Sequence, residues 1–100
     1  MTDMLNELEA IIADRKANPQ PDSYTNELFD KGVNKIAQKV GEEAVEVVIA
    51  ALGQTRDRQI EELADMFYHT LVLMAQMDIS LDDVGAELAR RHRPTNAPLA

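Results

Sequence analysis

The sequence predicts an all-α protein, and three observations support that prediction. Apolar residues recur at helical spacing along most of the chain. Glycines, prolines and hydroxyl residues separate these stretches, at places where helices typically end and begin. No stretch of useful length alternates polar and apolar residues, as a half-buried strand would. We therefore expect a bundle of four to five helices in a single domain over residues 1–94, followed by a flexible tail over residues 95–100.

The first two helices are separated by the clearest connector in the chain. Thr2 is a suitable N-cap for a first helix that ends near Lys16. Residues 18–22 include two prolines, which remove backbone donors and favour extended conformations before them. Ser23 can cap a short second helix, which Gly32 is expected to interrupt.

Three further helices complete the predicted bundle. Two long ones are expected over residues 33–52 and about 58–77, with Gly53 as a stop signal between them and Thr55 or Asp57 as the next cap. A last helix should follow over residues 81 to about 92. Its start has a pattern that resembles a capping box, formed by Ser80 and Asp83. Its end is rich in arginine, which either complements the helix dipole or binds a ligand: Arg90, Arg91 and Arg93.

The composition is that of one compact domain, with 45% hydrophobic and 28% charged residues. The absence of cysteine excludes disulfides and thiolate metal sites. The longest apolar runs are far shorter than the roughly 20 residues of a membrane span, and the N-terminus lacks the pattern of a signal peptide. We therefore expect a cytoplasmic protein. The net charge of −8 argues against binding nucleic acid or anionic membranes, although local positive charge or a bound cation would admit an anionic substrate.

Two acidic pairs lie within the long helices. Glu43 and Glu46 are three residues apart, and so are Glu62 and Asp65, which places each pair on one helical face. Many such pairs simply line solvated faces. Here each pair occupies a narrow polar wedge of a helix that is apolar almost all round, and such helices are normally buried on several sides.

Buried carboxylates must be paired, protonated or bound to a cation, and the basic residues at matching positions are too few to neutralise all four. We therefore expect Glu43, Glu46, Glu62 and Asp65 to hold a metal ion. Mg²⁺ is the best candidate because all the donors are carboxylate oxygens, and Mn²⁺ is expected to substitute for it. His69, one turn after Asp65, is expected to pack or to support the site more than to act directly.

Lysines recur every fourth residue towards Glu43, at Lys31, Lys35 and Lys39. Two interpretations of this ladder remain open. The lysines form either a solvated basic face or a track that binds phosphate groups and ends at the metal.

Further phrases surround the acidic pairs: Ser23-Tyr24-Thr25, Lys39-Val40-Gly41-Glu42-Glu43, Tyr68-His69, Leu81-Asp82-Asp83-Val84 and Leu88-Ala89-Arg90-Arg91-His92. The acidic spacing by itself resembles the MazG-like superfamily of all-α nucleotide pyrophosphohydrolases. With the flanking phrases, the chain from about residue 5 to residue 92 resembles the phosphoribosyl-ATP pyrophosphatase family.

The resemblance implies hydrolysis of phosphoribosyl-ATP to phosphoribosyl-AMP and pyrophosphate, the magnesium-dependent second step of histidine biosynthesis. It also implies a MazG-like bundle completed by homodimerisation, which agrees with two long apolar helices that need more partners than 100 residues offer. In that reaction Lys39 and Lys35 would contact phosphates beside the four metal ligands. Glu42 is a weaker candidate for a further ligand or for the base that orients water.

Two other functions would fit part of this pattern. A house-cleaning nucleoside triphosphate pyrophosphohydrolase would share the acidic site and differ in the residues around base and sugar. A non-catalytic helical dimerisation module would use the acidic wedge as a structural ion site.

Overall fold

The computed structural model describes residues 3–92, and over that range the protein consists of five α-helices without a strand. The helices are α1 (Asp3–Ala17), α2 (Tyr24–Lys31), α3 (Val33–Gly53), α4 (Arg56–Gln76) and α5 (Leu81–His92). The all-α prediction is confirmed. None of these helices is both long enough and apolar enough to cross a membrane. The predicted cap at Thr2 and the predicted tail over residues 95–100 lie outside the described residues.

Hydroxyl caps begin three of the helices, as the sequence predicts. The side chains of Ser23 and Thr55 each accept a hydrogen bond from the backbone N–H three residues later, at 3.2 and 3.3 Å. Ser80 and Asp83 form the predicted capping box, because each side chain accepts from the other's backbone N–H, at 2.9 and 3.0 Å. Helix α4 begins at Arg56, two residues earlier than predicted, because Thr55 supplies its cap.

Gly32 separates α2 from α3, as predicted. Its φ of 89° lies in a region that side chains with a Cβ rarely adopt, so glycine suits this position. Its N–H donates to the carbonyl oxygens of Leu28 and Phe29, at 3.1 and 3.2 Å, which satisfies the end of α2 while the chain turns into α3.

The hydrophobic core lies towards one end of the two long helices. It contains side chains from α1, α2, the first half of α3 and the second half of α4: Ile12, Leu28, Ile36, Leu71, Val72 and Met74. The other halves of α3 and α4 therefore extend away from this core as an antiparallel pair, and the acidic residues lie on that pair.

Side chains of α1 hydrogen-bond to the backbone on both sides of the turn between α4 and α5. The Lys16 ammonium donates to the carbonyl oxygen of Ala75 at 2.8 Å, near the end of α4. The Glu9 carboxylate accepts from the backbone N–H of Leu81 at 2.6 Å, at the start of α5. Helix α5 itself contains no buried residue, so its apolar side chains have little cover within one chain.

Asn26 is a buried polar residue whose importance the sequence does not reveal. Its side-chain amide donates to the carbonyl oxygen of Arg15 at 2.7 Å, and its side-chain oxygen accepts from the backbone N–H of Gln20 at 2.9 Å. These bonds attach the proline-containing connector to α1 and α2.

We expect Asn26→Ala to lower the free energy of unfolding by about 2 kcal/mol, because two hydrogen bonds worth about 1 kcal/mol each are lost. Urea unfolding followed by circular dichroism measures this change. The control is Asn34→Ala, which removes an exposed asparagine and should change stability by less than about 0.5 kcal/mol. Equal effects of the two substitutions would contradict the role of Asn26.

Candidate active site

Helices α3 and α4 carry the site. They are the most extensively packed pair and are joined by a two-residue turn, so they run antiparallel. Glu43 lies in the middle of α3, and Glu62 and Asp65 lie in the first half of α4. One carboxylate oxygen from each of these three residues lies within 4.8 Å of the others. The structure thus brings together three of the four residues that the sequence predicts as metal ligands.

Glu43 and Glu62 are buried between the two helices, with only 7% and 5% of their surface exposed. The Oε2 atom of each has no hydrogen-bond partner among the described residues. A buried oxygen without a partner has lost its hydration without a compensating bond, which is unfavourable for an ionised carboxylate. A divalent cation would give both atoms a partner, so the donor set and its burial fit a hard cation such as Mg²⁺.

Glu46 and Asp65 are exposed in the single chain, unlike the buried position that the helical wheel predicts. Apolar residues occur on nearly all sides of each long helix, but a single chain covers only one side of the α3–α4 pair. Glu46 nevertheless lies beside Glu62, close enough for the two carboxyl groups to hydrogen-bond when one is protonated. The fourth predicted ligand therefore borders the cluster of the other three.

Arg58 neutralises part of this acidic cluster. Its guanidinium donates to Oε1 of Glu62 and to Oε2 of Glu61, each at 2.5 Å. Among the described residues it is the one cationic side chain that pairs with any of the four predicted ligands. Arg58 was not among the residues predicted from the sequence, although its position four residues before Glu62 is the spacing of a helical ion pair. Because the pair uses Oε1, Oε2 of Glu62 remains available to a cation.

The pKa of the Glu62 carboxyl is raised above its ordinary value of 4.5. The largest cause is the hydrogen bond that the protonated carboxyl can form with Glu46, followed by burial and by the negative charges of Glu46 and Asp65. Arg58 acts in the opposite direction and lowers this pKa. The net rise means that the protein resists placing a full negative charge at Glu62 while no cation is bound.

A cavity of about 240 Å³ opens beside the carboxylates. Its walls combine charged, polar and apolar side chains: Glu46, Ile49, Gln54, Arg58 and Glu62. A larger groove of about 510 Å³ lies between α1 and the end of α4, away from the acidic cluster. We place the site at the smaller cavity because Glu62, one of the three converging carboxylates, lines it together with Glu46.

The other residues predicted on α3 lie outside the acidic cluster. Lys35 and Lys39 are half-buried, and neither forms an ion pair with another described residue. Glu42 is exposed and accepts a hydrogen bond at 3.0 Å from Gln38 of the same helix. The two lysines thus have no ion-pair partner within the described chain, whereas Glu42 is hydrogen-bonded away from the three converging carboxylates.

The arginines at the end of α5 pair within their own helix. Arg90 and Arg91 both donate to the carboxylate of Glu87, at 2.6 and 2.8 Å, and these bonds lower the pKa of Glu87. Arg93 lies outside the described residues. Within one chain, the described arginines of α5 therefore form ion pairs inside their own helix and none with the acidic cluster.

His69 lies on the next turn of α4 after Asp65. It is buried, and its Nδ1 lies 2.8 Å from the backbone carbonyl oxygen of Asp65. Its Nε2 lies 3.0 Å from the hydroxyl oxygen of Tyr24. The expectation that His69 packs and supports, without itself joining the carboxylates, agrees with these contacts.

A carboxylate cluster between two antiparallel helices is an arrangement in which all-helical proteins bind metal ions. Residues 5–92 match the phosphoribosyl-ATP pyrophosphohydrolase family, and the chain belongs to that family. The resemblance described from the sequence is thereby confirmed.

Relatives from several organisms are similar over most of this chain. The phosphoribosyl-ATP pyrophosphatase of Metallosphaera sedula is 54% identical over 91 residues, which cover 91% of this chain and 98% of the relative. That of Pyrobaculum aerophilum is 52% identical over 88 residues, covering 88% of this chain and 94% of the relative. The histidine biosynthesis bifunctional protein HisIE of Caldanaerobacter subterraneus is 47% identical over 91 residues, which are 91% of this chain and 44% of that longer protein.

We expect Glu62→Gln to stabilise the protein when divalent cations are removed by a chelator. Because the folded state raises this carboxyl pKa, the contribution of Glu62 to stability is fully present below pH 4.5 and is lost as pH rises through its folded-state pKa. Gln has no charge to lose, so the melting temperature of the variant should exceed that of the natural protein by a margin that grows from pH 4.5 to pH 7.

The control for this measurement is Glu61→Gln, which removes the exposed partner of the same arginine. It should leave the pH dependence of the melting temperature unchanged. A melting-temperature difference for Glu62→Gln that is the same at pH 4.5 and pH 7 would contradict the raised pKa.

Proposed function

We propose that this protein hydrolyses phosphoribosyl-ATP to phosphoribosyl-AMP and pyrophosphate, the second step of histidine biosynthesis. One structural observation carries the proposal: carboxylate oxygens of the buried Glu43 and Glu62 and of the exposed Asp65 converge between α3 and α4. Membership of the family and the names of its relatives supply the choice of substrate. The composition, free of cysteine and rich in charge, favours a cytoplasmic location for this activity.

We further propose that Glu43, Glu62 and Asp65 hold Mg²⁺, with Glu46 at the edge of the site as a fourth ligand. Mn²⁺ should substitute, because it accepts the same oxygen donors. When bound, the ion supplies charge neutralisation for the triphosphate and orientation for the attacking water. The oxygens without partners, Oε2 of Glu43 and Oε2 of Glu62, support this assignment.

Cleavage between the α and β phosphates requires the chain to bind and orient a highly charged group. Lys39, one turn before Glu43, and Lys35 are proposed to contact phosphate oxygens, since both are half-buried and unpaired within the described chain. Arg58 borders the cavity and places a positive charge there. Glu42 remains a weaker candidate for the base, because its hydrogen bond to Gln38 directs it along α3.

We also propose that the protein acts as a homodimer through the outer face of the α3–α4 pair. This outer face consists of apolar residues that are each at least 40% exposed: Val45, Val48, Ile49, Leu52, Ile60, Leu63 and Phe67. Large apolar side chains exposed in this number on neighbouring helices commonly mark a protein–protein interface in a soluble protein. Ile49 belongs both to this face and to the cavity wall, so a partner subunit would also shield the acidic site from water.

Release of pyrophosphate from phosphoribosyl-ATP, with and without Mg²⁺, tests the function. We expect Mg²⁺-dependent release that is much faster than from a panel of ordinary nucleoside triphosphates. Comparable release from the ordinary triphosphates would instead indicate the house-cleaning activity. No release from any of them would leave only the non-catalytic module.

Substitution of the carboxylates tests the site. Glu43→Gln and Asp65→Asn should each reduce turnover by about 100-fold or more, because a ligand charge is lost where transition-state charge must be balanced. The helical circular-dichroism signal should persist, and the exposed substitution Glu7→Gln on α1 should leave turnover unchanged. Near-normal turnover by either site variant would exclude that residue from the site.

The interface is tested by Val48→Asp. A two-fold symmetric interface contains the substituted position twice, and burying each valine is worth at least about 1.5 kcal/mol, so the dimer dissociation constant should rise by about 100-fold or more. Sedimentation measures it, with Met4→Asp on α1 as the control at a similarly exposed apolar residue. An active monomer of the natural protein would contradict the dimer.

A further inference from the structure

Three rings meet where the start of α2 packs against the middle of α4. Tyr24 stacks against Tyr68 with ring centres 6.2 Å apart and planes inclined by 26°. His69 meets the edges of both, at 5.8 Å from Tyr24 and 5.1 Å from Tyr68. His69 is 6% exposed, whereas Tyr24 is 46% exposed. The buried imidazole is thus held on two sides by aromatic rings.

Both nitrogens of this imidazole are engaged in ways that define its tautomer. The partner of Nδ1 is the backbone carbonyl oxygen of Asp65, which can only accept, so Nδ1 carries the proton. In the neutral ring Nε2 must then accept, and the Tyr24 hydroxyl donates to it. A hydrogen-bonded chain therefore runs from the first residue of α2, through His69, to the backbone of Asp65.

The Asp65 carboxylate lacks the side-chain partner that Glu62 has, and it lacks the burial of Glu43. Its side chain is exposed and forms no hydrogen bond or ion pair with any described residue. Glu62, in contrast, is held by Arg58. The position of the Asp65 carboxylate relative to Glu43 and Glu62 consequently depends on the backbone of its own helical turn, and His69 binds that backbone.

We propose that His69 and Tyr24 are positioning residues of the acidic site, which they serve by fixing the turn of α4 that carries Asp65. The proposal rests on the proposed function, in which these carboxylates bind a divalent cation. Groups that orient metal ligands commonly change metal affinity when they are removed, even though they do not contact the ion.

A second bond between the same two helices provides a matched control. The hydroxyls of Thr25 and Tyr68 hydrogen-bond to each other. Thr25 is adjacent to Tyr24 on α2, and Tyr68 is adjacent to His69 on α4. This bond also fastens α2 to α4, but it does not reach Asp65. Tyr24→Phe and Tyr68→Phe each remove one hydroxyl and one inter-helix hydrogen bond, and they differ in whether the lost bond leads to the acidic site.

The experiment measures Mn²⁺ binding to the full chain by isothermal titration calorimetry, together with urea unfolding in a chelator. Both variants should lose similar stability. Tyr24→Phe should weaken Mn²⁺ binding about three-fold or more, and Tyr68→Phe should leave it unchanged. Unchanged binding by Tyr24→Phe, or equal weakening by both variants, would overturn the proposal. Either result would indicate that the hydrogen bond only holds α2 against α4.

Variants at His69 separate the two hydrogen bonds. His69→Leu removes both and should weaken Mn²⁺ binding about ten-fold, with no further loss when Tyr24→Phe is added. His69→Asn places an amide donor near the position of Nδ1 and should recover part of the affinity. Equal losses for the Leu and Asn variants would contradict the contact with Asp65. If the natural protein binds no Mn²⁺, the proposed cation site itself fails, which is a different result from unaltered binding by the variants.

Discussion

The structure depends on one constraint: two carboxylates face each other between α3 and α4, and Arg58 is the one arginine among residues 3–92 that balances them. Glu43 and Glu62 are buried, and Arg58 reaches only Glu62. Apolar side chains at those two positions would stabilise the helix pair more simply, because burying unpaired charge is costly. The protein therefore keeps an unfavourable arrangement in the absence of a cation, which is typical of a site arranged for a ligand and not for stability alone.

The fold around this constraint is divided in two. Core residues gather at the end of the long helices where α1 and α2 pack, while the other end of α3 and α4 leaves apolar side chains exposed. The acidic cluster lies between these regions. Packing at the core end holds the backbone of the helical turns that carry the carboxylates. The proposed dimer would cover the other side of the α3–α4 pair. Stability would then depend mainly on one half of α3 and α4, and catalysis on the other half.

Much of the fold could be predicted from the sequence, because helix boundaries depend on local chemistry. The caps at Ser23, Thr55 and Ser80 and the interruption at Gly32 each involve residues a few positions apart. The site was predictable only in part. The spacing predicted four carboxylates at one site, and the structure brings together Glu43, Glu62 and Asp65 but leaves Glu46 at the edge of the group. Contacts between distant residues, such as Tyr24 with His69, have no signal in the periodicity of either helix.

The central claim is that the oxygens of Glu43, Glu62 and Asp65 that converge in the structure bind one divalent cation. Crystals grown with Mn²⁺ and measured at its absorption edge test this claim directly, because anomalous scattering locates the ion independently of the protein atoms. The account predicts a peak between α3 and α4, about 2.1 Å from an oxygen of each of these three residues. A peak elsewhere, or none at a saturating concentration of Mn²⁺, would contradict it.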